Sequence, residues 1–206
     1  SLYAINKVPS LNTLRFINDH TEGTRIGRPT PIAHVADNDY AVGLFVEYLS
    51  NHPIWEKTAI FILEDDAQNG ADHIDAHRST AYVAGGFVKR GYVDHTMYST
   101  SSMLRTMELI LGIPPMSQYD AAAEPMWRCF DTKVNSNSFV SIQPNIDLNE
   151  KNVKEDALSN LSESFDFSKE DNVPDLLFNQ LLWKAIKGMH TEMPAPKRSA
   201  FVKIIN

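Results

Sequence analysis

The feature that most constrains this chain is the run TAIFIL at residues 58–63, which is apolar without interruption after its first residue. A short continuous run of this kind predicts a strand buried on both faces, as in a parallel sheet covered by helices. Directly behind it comes ILEDDAQNGADHIDAHR, residues 62–78, dense in acid and histidine. Folding alone does not require that much charge at the end of so apolar a segment. The charge is there either to hold something or to be solvated.

The rest of the chain supplies elements to build around that strand. TLRFI at 13–17 reads as a short strand that breaks into the Gly-, Thr- and Pro-rich loop NDHTEGTRIGRPTP. Asp37 or Asn38 is positioned to cap a helix over 39–50, with Val42, Phe45, Val46 and Leu49 as its apolar face. NHPIW is a turn. AYVAGGFVKRG predicts a further strand ending near Gly85-Gly86, and 101–111 a helix stopped by Gly112, with Pro114-Pro115 beyond it. Strand, helix, strand, strand, helix predicts an α/β fold with a doubly wound, mostly parallel sheet flanked by helices. At 206 residues, 43% hydrophobic and 22% charged, the chain can bury the core of one such domain. The texture becomes polar, rich in Asn and Ser, from about Asp131. We therefore divide the chain into a core over 1–130 and a C-terminal extension over 131–206 packing on the same domain. That extension contains a helix over 175–187, carrying Leu177, Leu181, Leu182 and Trp183 and stopped by Gly188, and then an extended MPAPKR segment.

Composition removes several classes of function. The net charge is −7 with no basic patch, which argues against a nucleic-acid partner. The single cysteine, Cys129, rules out an internal disulfide and a cysteine-built zinc site. No apolar run approaches the ~18 residues of a membrane span. SLYAINKVPS lacks the basic-then-apolar pattern of a signal peptide, and it has no initiator Met, so we expect a piece of something longer.

In open α/β sheets, ligands gather at the carboxyl ends of the strands. Three candidate clusters fall there: Asn18-Asp19-His20-Thr21, Glu64-Asp65-Asp66 with His73 and His77 following, and Asp94-His95-Thr96. Converging on one edge, they would repel one another unless a cation lay between them. Mixed carboxylate and imidazole donors suit zinc, manganese or iron better than calcium. Two divalent ions ~4 Å apart can bridge a phosphate, and Arg78 offers it a fork of donors. The plain alternative stands beside each cluster. An Asp-Asp pair after a strand is often a cap or a solvated loop, and His20 or His95 alone serves equally as a loop histidine. His34, His52 and His190 read as structural or surface residues, and Asp37 and Asp39 as helix caps, with Asp37 also within possible reach of a metal.

At these residues the sequence resembles the phosphoesterase family of bacterial phospholipases C and acid phosphatases, within the alkaline phosphatase superfamily. It is most similar to the branch in which this domain often follows a β-propeller. The matching stretches are NDHTEGTRIGRPTP, VADNDYAVGLFVEYLSNHPIWEKTAIFILEDDAQNGADHIDAHRSTAYV and KRGYVDHTMYSTSSMLRTMELILGIPPMSQYDAAAEPM, with DFSKEDNVPDLLFNQLLWKAIKG and MPAPKR further on. The resemblance implies a site of two divalent metals, with Asp65 and Asp66 on one and Asp19, His20 and His95 on the other. His73 and His77 match the loop beside the acidic pair. We place His73 with the metal ligands and His77, with Arg78, at the substrate phosphate. The implied activity is hydrolysis of a phosphomonoester or phosphodiester. The implied location is periplasmic, cell-surface or secreted, with a β-propeller as a possible partner in the same native chain. Two departures stand out. The family's first strand and its Ser or Thr nucleophile are not recognisable, which leaves the nucleophile unassigned (Thr21 lacks a base or metal to activate it) and predicts weak or absent hydrolysis by this chain alone. Gly85-Gly86 stands where the family tends to have Ser-Pro. The alternatives are a non-catalytic binding or cell-surface module of the same ancestry and, last, a phosphoacceptor receiver domain.

Overall fold

The computed structural model describes residues 7–67, 69–169 and 172–199. The elements run α1 (Pro31–Ser50), β1 (Ala59–Leu63), β2 (Ala81–Gly85), α2 (Thr100–Leu111), α3 (Gln118–Ala121), α4 (Ala157–Glu163) and α5 (Asp175–Lys187), with single 3₁₀ turns at Trp55–Lys57 and Trp127–Cys129. No described helix is long and apolar enough to cross a membrane. The SLYAIN start of the chain, on which the signal-peptide reading partly rests, lies outside the described residues.

The expected doubly wound parallel sheet is not present. The described sheet has two strands, β1 and β2, paired antiparallel. The reason lies between them. A parallel pair needs a crossover, usually a helix, and the described part of 64–80 forms none. The chain turns back instead and β2 pairs with β1 directly. β1 is accordingly half-buried, with Leu63 exposed, rather than covered on both faces. TLRFI forms no strand either; Leu14 and Ile17 stand 51% and 64% exposed, and the segment joins no ladder. Gly85-Gly86 has a steric reason of its own. A Cβ on Gly85 would fall 2.3 Å from the Thr58 carbonyl oxygen, and one on Gly86 2.8 Å from the Glu56 Cα.

α1 also begins earlier than expected. Thr30 accepts the Ala33 N–H at 3.2 Å through its hydroxyl, and Pro31 occupies the first helical position. Asp37 and Asp39 therefore lie inside the helix and cap nothing.

The chain divides into two compact units. The first draws its described residues from the ranges 1–15, 46–62 and 82–139. Its core is Met103, Met126 and Cys129, with Phe61, Val83, Tyr98, Met107 and Phe130 packed around them. α2 presents its apolar side there. A reciprocal Ser99–Ser102 capping box starts it, and Gly112, left-handed at φ 69°, ends it. Trp55 is buried, donates Nε1–H to the Asn135 carbonyl at 3.3 Å and meets the Phe139 ring edge-on.

The second unit draws on 16–45, 63–81 and 140–206. Leu158 of α4 and Phe178 and Leu181 of α5 form its core, flanked by Leu161, Phe165, Phe167, Val173 and Leu182. Asp156 caps α4 by accepting the Leu158 and Ser159 N–H groups. The loop over 21–30 is fastened to this core at several points. The Ser162 hydroxyl accepts the Thr24 N–H at 3.0 Å. The Asn152 amide lies 3.1 Å from each of the Gly23, Arg25 and Pro29 carbonyls. Gly23, left-handed at φ 66°, lies so close to Ser162 that a Cβ would come within 2.8 Å of its hydroxyl.

Candidate functional site

The second unit holds most of the candidate residues. Asp19 sits in a turn after Ile17, closed by the His20 N–H donating to the Ile17 carbonyl at 3.3 Å. His34 and Asp37 of α1 hold that turn: His34 Nδ1 donates to the Asn18 carbonyl at 2.5 Å, and Asp37 accepts from the Asn18 amide. Both α1 residues thus position the turn from behind. Glu64 follows β1, its N–H donating to the Thr80 carbonyl at 3.1 Å. Its side chain hydrogen-bonds Asp19. Although the residue is exposed, its carboxyl is pushed up to about 7, first by partial desolvation, then by the Asp19 charge and hydrogen bond, then by the charges of Asp65 and Asp66. Glu64 and Asp19, far apart in sequence, thus meet side chain to side chain, within electrostatic reach of Asp65 and Asp66. Glu64 belongs to the candidate cluster at the end of β1, but the resemblance assigns the metal to Asp65 and Asp66; the fold shows that Glu64 is the acid in contact with Asp19.

The loop 72–78 is arranged differently. Asp72 accepts the Ile74 and Asp75 N–H groups at 2.7 and 2.8 Å, and receives both Nε and Nη2 of Arg78 at 3.2 Å. The Arg78 fork and those two N–H groups hold the Asp72 carboxyl well below the usual range. Asp75 is buried and accepts both the N–H and the Nδ1–H of His77, at 2.9 and 2.7 Å. His77 Nε2 in turn accepts from Arg198 Nη1 at 3.2 Å. The MPAPKR segment is thereby docked. Asp75 and Arg198 form an antiparallel bridge, the Ala76 N–H donates to the Lys197 carbonyl at 2.7 Å, and Lys197 Nζ donates to the His73 carbonyl at 2.9 Å. His73 itself is exposed. Arg78 and His77, expected at a substrate phosphate, are engaged by Asp72 and by Asp75 with Arg198.

His20 lines a cleft of about 460 Å³ together with Glu22, Arg25, Arg28, Phe165, Asp166, Phe167 and Ser168. Thr21, beside it, is 7% exposed and its hydroxyl accepts the Gly23 N–H at 3.1 Å. That hydroxyl shapes the turn. His95 belongs to the first unit, where it is exposed. Its neighbour Asp94 anchors the entry to α2, accepting the Thr96 N–H and the Tyr98 hydroxyl, each at 2.9 Å. Burial pushes the Asp94 carboxyl up, but these hydrogen bonds outweigh it and leave the group below its usual range.

Among the described residues, no three His, Cys, Asp or Glu side chains converge closely enough to hold a metal ion as they stand. The donor chemistry at Asp19, Glu64, Asp65 and Asp66 nevertheless suits a hard or borderline divalent cation, which would relieve the repulsion among them. No protein-family model, characterised protein or solved structure matches the chain.

Proposed function

We propose that this chain contributes the metal-binding part of a phosphoesterase that hydrolyses phosphomonoesters or phosphodiesters. One observation carries the reading: Asp19 meets Glu64 side chain to side chain, with Asp65 and Asp66 close by, and the leading influences on Glu64 are burial and three other carboxylates. Crowded acids of this kind are stabilised by a cation. Asp19, Glu64, Asp65 and Asp66, with His20 adjacent, would hold a zinc, manganese or iron ion; His73 and His95 remain proposed ligands on the resemblance alone. The bound ion would supply charge neutralisation at the phosphate. The chain's own residues orient the acids, through the turn that His34 and Asp37 hold and through the end of β1. The buried, hydrogen-bonded Thr21 does not suit the role of nucleophile, so a nucleophile would come from outside this chain.

The test is calorimetric titration of EDTA-treated protein with Mn²⁺ and Zn²⁺. We expect binding that weakens at least about tenfold in Asp19→Asn and in Glu64→Gln, the loss typical when a metal site is disturbed. Hydrolysis of an aryl phosphate by the chain alone should be weak or absent. Absence of divalent-ion binding below millimolar concentration would sink the metal reading. Robust metal-dependent turnover would show instead that the chain carries its own nucleophile. A non-catalytic module of the same ancestry is the second reading, favoured by the lack of three converged ligands among the described residues.

A further inference from the structure

We propose that the cleft lined by His20, Glu22, Arg25, Arg28, Phe165 and Phe167 recognises a phosphate group joined to a planar apolar group, Arg25 and Arg28 taking the phosphate and the two phenylalanine rings taking the apolar part. This rests on the phosphoesterase reading for its substrate class, but its geometry stands by itself. Glu22 bridges the two arginines, one carboxylate oxygen to each: Oε2 lies 2.8 Å from Arg25 Nη1, and Oε1 lies 3.1 Å from Arg28 Nε. Arg25 Nε is held by Glu163 at 3.0 Å. That arrangement holds the Arg25 guanidinium at two nitrogens and tethers Arg28 through Nε, leaving Arg25 Nη2 and both terminal nitrogens of Arg28 without a partner among the described residues. These are the outward edges that a phosphate engages through paired N–H donors.

The remaining walls fit the same ligand. Asp166, the other acid in the cleft, is engaged by the Ser168 N–H at 3.0 Å and the Asn172 amide at 2.8 Å. Phe165 and Phe167 are half-buried and steeply inclined to Phe178, with centroids 5.9 and 5.7 Å away. The three rings lock one another, leaving the outer two to form a fixed apolar wall. The loop bearing the arginines is equally fixed. The Gly27 N–H donates to the Asn152 carbonyl at 2.8 Å, the Asn152 N–H to the Arg28 carbonyl at 2.9 Å, and the Thr30 N–H to the Glu150 carbonyl at 2.9 Å. The two arginines, Glu22, Glu163 and Asp166 sum to −1, so recognition has to come from donor geometry rather than long-range attraction. Affinity should then require both halves of the ligand.

The test uses EDTA-treated protein and three ligands: phenyl phosphate, inorganic phosphate and phenol, titrated by NMR. We expect phenyl phosphate to bind at least about fivefold more tightly than either fragment, and Arg28→Gln to weaken it by about fivefold or more, as loss of a charge-assisted contact should. Phe167→Leu should weaken phenyl phosphate and leave inorganic phosphate unchanged. Arg78→Gln should change nothing, because that fork is already occupied by Asp72. Equal binding of phosphate and phenyl phosphate, no binding of either, or sensitivity to Arg78→Gln in place of Arg28→Gln each overturns the proposal. If phenyl phosphate binds with the expected Arg28 dependence while divalent ions do not bind, the cleft stands and the phosphoesterase reading falls. If the ions bind and phenyl phosphate does not, the cleft alone falls.

Discussion

Two acidic stretches lie within fifteen residues of each other and reach opposite electrostatic states. At 64–66 the acids face acids. Glu64 hydrogen-bonds Asp19, feels Asp65 and Asp66, and rises to about 7. At 72–78 the acids face donors. Asp72 collects two N–H groups and the Arg78 fork, and Asp75 collects two donors from His77. Similar composition therefore carries different information. A carboxylate that meets donors is held ionised and structural, whereas Glu64 meets another carboxylate and its ionisation is opposed. That is why the proposed cation is placed on the acids of the first stretch, with His73 of the second kept only on the resemblance.

The largest expected effect tests the structural half of this contrast. Asp75 is 5% exposed and accepts two hydrogen bonds from His77. Asp75→Ala removes two hydrogen bonds to a buried carboxylate and should cost about 1–3 kcal/mol, lowering the Tm by roughly 2–12 °C. Asp75→Asn keeps an oxygen that can accept from both His77 donors and should lose less, the charge assistance alone. Asp65→Ala, at an exposed site whose charge repels Glu64, should be neutral or slightly stabilising. Melting curves that ranked Asp65→Ala above Asp75→Ala would break the comparison.

The next effect has opposite signs in the two stretches. The Glu64 carboxyl rises from its ordinary 4.5 to about 7 in the folded state. Its contribution to stability is fully present below about 4.5 and is lost as pH rises through about 7. Asp72 is depressed from its ordinary 3.8, so its contribution is present above 3.8 and is lost as pH falls towards its folded value. Denaturant melts across pH should therefore show Glu64→Gln flattening the limb between about 4.5 and 7, and Asp72→Asn flattening only the acid limb. A Glu64→Gln curve parallel to the parent's would mean that Glu64 and Asp19 do not meet.

How much of this the sequence revealed depends on whether the signal was local. α5 occupies the expected 175–187, and α2 differs from expectation by one residue, because each combines a helical apolar face with a glycine stop at Gly188 or Gly112. α4 went unread although Asp156 and Ser159 spell a capping box, because the polar texture around it hid a helix of only seven residues. α1 was misplaced because Thr30-Pro31 looked like the end of a loop when it was a cap followed by a first-turn proline. The sheet was misread for a deeper reason. An apolar run says that a strand is covered but not what covers it, and 59–63 is covered on one side by the cluster around Met103 rather than by flanking parallel strands. The strand-end positions of the clusters holding Asp19 and Glu64 point to a meeting, but not to Glu64 as the acid that touches Asp19. The Arg78–Asp72 fork, six residues apart in one short loop, could have been anticipated and would have warned against giving Arg78 to a substrate.

The smallest expected effect is the most discriminating about the second stretch. His77 is held from both sides, by the buried Asp75 at Nδ1 and by Arg198 at Nε2. If the carboxylate dictates the ring's state, Arg198→Ala removes one exposed hydrogen bond, costing about 0.5 kcal/mol and about 1–2 °C in Tm. The Nδ1–H tautomer should persist in that variant, as read from the two ring-nitrogen shifts by ¹⁵N NMR, and should be lost in Asp75→Ala. The reverse pattern, with the tautomer lost in Arg198→Ala and kept in Asp75→Ala, would assign the order of this loop to the docked C-terminal segment. The carboxylates at 72–78 would then depend, like those at 64–66, on a partner brought from far along the chain, and the contrast between the two stretches would narrow to whether that partner is a residue or an ion.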